Sequence, residues 1–195
     1  EMGHLARMHP DEIVFALLRA GFTTNCFDGQ FFFDTDHPTT LSDGTQSAVS
    51  NMQSGAGPAW YLLDTSRAVR PMIWQEREAY TFESLDRSTD PNVFFSNEFL
   101  YGVRARVNAG FGLWQLAYGS KAALTPANYA AARAAMQGFR TDQGRLLGIM
   151  PTTLVVPPAL ESDALSLLNT EIATGGASSN PWKNTAELVI SPYVA

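Results

Sequence analysis

A chain of 195 residues with 45% apolar and 16% charged residues has the balance of one globular domain, or one domain with a side lobe, and is long enough to bury roughly 70% of its unfolded surface. The net charge of −6 and the scatter of the 13 basic residues speak against binding nucleic acid by phosphate neutralisation; the best local group, Arg67, Arg70 and Arg77, is diluted by Asp64, Glu76 and Glu78. The single cysteine, Cys26, excludes an intrachain disulfide, and no apolar run approaches the roughly 20 residues that span a bilayer.

In chain order, the first residues, EMGHLARMHPDE, lack the basic region and apolar stretch of a secretory leader, and Glu1 in place of a start Met is expected of a fragment or processed form. A helix is predicted over residues 10–20. Pro10 sits in its first turn, Asp11 and Glu12 follow at the positive end of the dipole, and Ile13, Val14, Leu17 and Leu18 form the apolar stripe. Gly21 is expected to end it as a left-handed cap, with residues 2–8 as the tail of an earlier helix. Asp28-Gly29 between aromatic runs predicts a hairpin. Residues 34–38 are expected to be a loop, and residues 39–58, rich in Ser, Thr, Gly, Asn and Gln, a long surface loop.

Short strands are predicted at AWYLLD (59–64), MIWQ (72–75) and YTFESL (80–85). Between residues 98 and 107, Phe99, Tyr101, Val103, Ala105 and Val107 alternate with Glu98, Leu100, Gly102, Arg104 and Arg106. That period of two marks a strand with one buried face. Asn108, Ala109 and Gly110 then read as a turn, and Trp114, Leu116 and Tyr118 as one face of a second strand. Thr125-Pro126 starts a helix that Gly138 stops, with Tyr129, Ala132 and Met136 facing inward. A turn at 142–148, a fully buried strand TLVV (153–156), a helix over 158–169, a loop at 174–180 and a strand ELVI (187–190) complete the chain. Strands first, then helix–strand–helix–strand, define an α+β class.

Candidate chemistry is sparse. Asp34, Asp36 and His37 are the densest set of metal-ligand types and would centre a metal-dependent hydrolase; no second cluster completes the set, and an Asp-rich turn is the preferred reading. Cys26, between aromatic residues, reads as an inert thiol. Gly110-Phe111-Gly112 is half of a dinucleotide fingerprint, and Gly175-Gly176 has no following helix start and Lys. No catalytic residue, cofactor or metal is assigned.

Four stretches, DEIVFALLRAGFTTNCFDGQFFFDTDHP, WYLLDTSRAVRPMIWQERE, NEFLYG…AGFGLWQLA and PTTLVVPPALESDALSLLN, together resemble the major head subunits of Mu-like phages and prophages. The resemblance implies the tailed-phage major capsid protein fold first seen in phage Hong Kong 97, with a peripheral and an axial lobe. Residues 1–20 would be the end of the spine helix, and about 120–175 part of the axial lobe. It implies a segment before the equivalent of Glu1, so that this chain would lack the N-terminal arm and extended loop and stay a monomer or small oligomer in dilute solution. The implied function is structural: copies of the chain form capsid hexamers and pentamers that enclose double-stranded DNA without sequence-specific contacts. The implied partners are scaffolding, protease and portal proteins, and the location is the virion head, or the host cytoplasm during assembly or as a prophage product. A cellular nanocompartment shell of the same fold is the related alternative. Trp60, Trp74, Trp114 and Trp182 are candidate interface anchors, core burial being an equal expectation for the first three and Trp182 the preferred interface residue.

Overall fold

The computed structural model describes residues 1–40, 43–141, 144–172 and 179–195. Helix α1 (Met2–Ala20) is one continuous helix with Pro10 inside it, not two pieces. A proline in a helix interior costs one backbone hydrogen bond, on the order of 3 kcal/mol. The good helix formers on either side of Pro10 keep one helix instead of two. Leu18 is buried and anchors the C-terminal half, whereas Met2, Leu5 and Met8 are exposed. Gly21 closes the helix in right-handed conformation (φ −59°, ψ −20°), contrary to the left-handed cap expected. A Cβ there would meet the Phe33 ring at 2.8 Å, so close packing accounts for the glycine.

The Asp28-Gly29 turn forms, with Gly29 at φ +87° and Cys26 N–H donating to the Gln30 carbonyl. It closes a single bridge, Asn25 to Phe31, rather than a hairpin of two strands. Phe32 and Phe33 then plunge into the core. Residues 39–58 are not a long loop. β1 (His37–Thr40) and β2 (Gln46–Val49) pair antiparallel, and β3 (Met52–Gln53) joins the main sheet.

β4 (Trp60–Leu63) is wholly buried at the centre of that sheet. The long strands β5 (Met72–Leu85) and β6 (Leu100–Phe111) form a separate antiparallel ribbon, with the short helix α2 (Pro91–Ser96) in its loop. A 3-10 turn (Trp114–Leu116) leads into β7 (Ala117–Ser120). Helix α3 (Pro126–Gly138) starts as predicted, with the Thr125 side chain accepting from Asn128 N–H, and buries Tyr129, Ala132 and Met136. β8 (Thr153–Val156) is buried on both faces, a 3-10 turn (Pro158–Leu160) follows the two prolines, and α4 (Glu161–Leu168) buries Ala164, Leu167 and Leu168. β9 (Glu187–Ile190) completes a mixed sheet ordered β3-β7-β4-β8-β9. Residues 142–143, in the predicted turn, and 173–178, covering most of the predicted 174–180 loop, lie outside the described residues.

Asp64 ties this core to its periphery. It is buried, accepts from Ser66 N–H and from the Ser66 hydroxyl at 2.6 Å, accepts from Met150 N–H, and lies 3.4 Å from Arg67 Nε. No helix among the described residues is long and apolar enough to cross a membrane.

Candidate assembly surface

The β5–β6 ribbon is the least buried part of the fold. Its base is anchored: Met72 pairs with Phe111, whose ring stacks on Phe32 at 4.2 Å, and His9 Nδ1 of α1 lies 2.6 Å from the Tyr80 hydroxyl. Pairing continues from Ile73–Gly110 to Leu85–Leu100, with irregularities between Glu76 and Thr81. The predicted turn at Asn108, Ala109 and Gly110 is therefore strand, paired with Gln75, Trp74 and Ile73. Cross-strand hydrogen bonding overrides the turn preference of Asn and Gly.

Beyond Thr81 on β5 and before Ala105 on β6, every residue is exposed. The alternation that signals a half-buried strand is present in the sequence, but this chain buries neither face there. Phe82, Phe99, Tyr101 and Val103 all face solvent. At the tip, Phe94 and Phe95 are 73% and 81% exposed and meet edge to face at 5.1 Å. The tip is nevertheless tightly constructed. Arg87 N–H donates to Asp90 Oδ2, and Asn92 donates through its amide to the Leu85 and Glu98 carbonyls. Asn97 ends α2 at φ +55°, a left-handed conformation that Asn tolerates. Three of the ribbon's charges pair with one another, Glu78 facing both Arg104 (3.1 Å) and Arg106 (3.3 Å). What remains is a preorganised aromatic and aliphatic surface, the kind that marks a protein–protein contact.

The predicted metal set does not assemble. Asp34 accepts from Phe31 N–H and Thr35 N–H, and Asp36 is exposed; hydrogen bonding to Asp34, with burial and the Asp34 charge adding, raises the Asp36 carboxyl above its ordinary range. His37 instead turns inward, fully buried, against Asp28 and Asn51, with its ring stacked on Trp114 at 4.0 Å. Chain order suggested the wrong partners for His37, whose ring nitrogens face Asp28 and Asn51 and neither Asp34 nor Asp36. Cys26 is half-buried; burial first, and its hydrogen bond to Asp28, push its thiol up to about 11.

Trp60 and Trp114 are core residues with no surface to offer a neighbour. Trp60 donates Nε1–H to the Ala122 carbonyl at the centre of the sheet, and Trp114 packs between His37 and Phe139. Trp182 is partly buried, edge-on to Tyr129, and Trp74 is partly exposed on the ribbon. Arg67 is occupied by Asp64 and by the Leu147 and Gly148 carbonyls, while Arg70 and Arg77 are exposed. Gly110 lies near the end of β6 and Gly112 just past the strand, leading into a three-residue 3-10 turn and not into an α-helix.

The fold is that of a tailed-phage shell subunit. It superposes on the procapsid protein of bacteriophage JBD30 with a TM-score of 0.86 and 44% identity, covering 98% of this chain and 66% of that one. The model of the Mu-like prophage major head subunit (gpT) matches residues 1–194, and the chain belongs to that family. It is 44% identical to the major capsid protein of Escherichia phage Mu and 43% identical to the Mu-like prophage FluMu major head subunit of Haemophilus influenzae. Both alignments cover the whole chain and 66% of the relative, so the chain spans about two thirds of the length of the curated relatives it matches.

Proposed function

We propose that this chain is the core of a structural head subunit whose copies pack into the closed shell of a phage head around double-stranded DNA. The observation that carries the reading is the outer part of the β5–β6 ribbon, residues 82–85 and 100–104, where the strand alternation calls for burial that the chain itself does not provide. A neighbouring copy is the partner this surface fits, because the family and its solved relative are shell proteins. The net charge of −6 and the scatter of the basic residues fit a container that encloses its genome without gripping base sequence.

On the same reading α1 is the end of the spine helix and forms the peripheral part with the ribbon it packs on. Residues of about 120–175, carrying α3, β8 and α4, belong to the axial lobe. Hexamers and pentamers of copies, with scaffolding, protease and portal proteins, are the partners in this scheme. Trp182 serves as a lobe-edge contact. A hydrolase centred on Asp34, Asp36 and His37 finds no support in a His37 directed away from both carboxylates.

The test is light scattering after size exclusion on this chain and on the full-length gene product, each co-expressed with and without its neighbouring phage genes. Shell-sized particles from the full-length protein support the reading. Failure of both to assemble under every condition overturns it.

A further inference from the structure

Three donors of different chemistry meet where the turn after α1 folds against β1. Cys26 Sγ lies 3.0 Å from Asp28 Oδ1, and Asp28 Oδ2 lies 2.7 Å from His37 Nδ1. One ligand atom from each of the three falls within 4.8 Å of the others.

The surroundings decide which ring nitrogen carries hydrogen. Asn51 is buried and directs its amide NH2 to the carbonyls of Phe32 (2.8 Å), Trp114 (3.3 Å) and Ala117 (3.4 Å). Its Oδ1 therefore points the other way, accepts from Asp34 N–H at 2.9 Å, and lies 3.2 Å from His37 Nε2. Facing an acceptor, Nε2 must be the donor. In the neutral ring, Nδ1 then presents a lone pair to a carboxylate oxygen at 2.7 Å. Two lone pairs do not face each other at that distance without a cation to join them. Two hydrogens also fill this set, one joining His37 to Asp28 and one donated by the Cys26 thiol to Asp28 Oδ1 at 3.0 Å. A metal ion would use all three.

We propose that Cys26, Asp28 and His37 are the protein ligands of a divalent metal ion of the zinc class, and that Asn51 is the positioning residue that holds the His37 ring. Thiolate, carboxylate and imidazole are the donor set of zinc, and three protein ligands leave a fourth position for water. The Nε2–H to Asn51 contact is the outer hydrogen bond by which ligating histidines are usually oriented. The stacked Trp114 ring fixes the plane of the imidazole. Cys26 and Asp28 keep partial exposure, which gives an ion a path in, while His37 closes the inner side. The ion clamps the 26–28 turn to β1, two segments otherwise joined by little regular pairing. The site is independent of the shell reading.

The experiment is a Co2+ titration of this chain after chelator treatment, followed by displacement with Zn2+. The expected result is one equivalent bound, with the tetrahedral d–d bands and the thiolate-to-cobalt charge-transfer band. At Zn2+ about 100-fold above Kd, the melting temperature rises by about 5–10 °C. Cys26→Ser is expected to abolish the charge-transfer band and weaken binding about tenfold or more, with an unchanged circular dichroism spectrum. Because His37 is stacked in the core, His37→Gln risks the fold, and Asp28→Asn is the second variant. A chain with no cobalt spectrum and no thermal shift in millimolar metal holds only a proton between His37 and Asp28, which overturns the proposal. So does a charge-transfer band that survives in Cys26→Ser.

Discussion

Phe82 and Tyr101 stack across the β5–β6 ladder, 6.0 Å apart with planes 19° from parallel, while 63% and 48% of their surfaces stay in water. Such a pair stiffens the ribbon by about 0.5–1.5 kcal/mol beyond its area. Its larger part lies in what it presents: an aromatic ledge on the strand face that also carries Val103, which pairs with Phe82.

The tip is the place to separate assembly from folding. Phe94 and Phe95 touch mainly each other, so replacing both by Ser removes little that the folded chain uses. The double variant is expected to melt within about 2 °C of the parent, as surface substitutions do. In the full-length subunit the same change is expected to abolish shell-sized particles. Calorimetry and light scattering on the two proteins read the outcomes separately. A full-length double variant that still assembles at the parental concentration removes the tip from the interface.

Gly112 and Gly110 make an opposed pair of tests at the base of the ribbon. A Cβ on Gly112 would stand 2.0 Å from the Arg70 carbonyl oxygen, a backbone atom that cannot swing aside, whereas one on Gly110 meets nothing within 4 Å. Gly112→Ala is expected to cost about 2–3 kcal/mol by forcing the crossing chains apart. Gly110→Ala is expected to stay within about 0.5 kcal/mol. Urea unfolding of both variants gives the comparison. Equal midpoints would mean that the 70–112 crossing relaxes without cost.

Asn51 is the polar hub of the core, with one amide satisfying the carbonyls of Phe32, Trp114 and Ala117 and accepting from Asp34 and His37. Asn51→Ala strands several of these buried groups together. The expected loss is about 3 kcal/mol or more, which lowers the melting temperature by roughly 6–12 °C. A thermal scan in the presence of chelator isolates this effect from any metal. A fall of less than about 2 °C would mean that water replaces the amide.

What could be read in advance was what local chemistry decides. Thr125-Pro126 starts α3 whatever surrounds it, and TLVV and ELVI are strands because three consecutive apolar residues, two of them β-branched, favour the extended chain. Asn51 gave no such signal. Its partners lie 14 to 66 residues away, and a lone Asn in a Ser/Thr/Gly-rich stretch looks like loop. Cys26 and Asp28 were hidden as the neighbours of His37 by the fold of the intervening turn, although all three were visible as residue types. The ribbon was legible by half. Its period of two was plain, but periodicity reports that a face is to be buried, not that the burying surface belongs to the same molecule.

Asp64 supplies the pH dependence. Burial raises its carboxyl, but hydrogen bonds from the Ser66 hydroxyl, Ser66 N–H and Met150 N–H, together with the Arg67 charge, outweigh that and hold it below its ordinary value. The folded pKa therefore lies below the unfolded value of about 3.9. Stability from this group is fully present above the unfolded value and is lost as pH falls through the folded one. Asp64→Asn keeps the shape but turns an amide NH2 toward either the Met150 N–H or the Ser66 N–H, since only one oxygen remains to accept. The expected cost at pH 7 is about 2–4 kcal/mol. The variant's stability should also fall less steeply than the parent's below pH 4, because it has no carboxylate at this site to protonate. Urea midpoints at pH 7, 5, 4 and 3 test both halves. Parallel acid limbs for variant and parent would show that Asp64 contributes contacts alone, and that the acid sensitivity resides in other carboxylates.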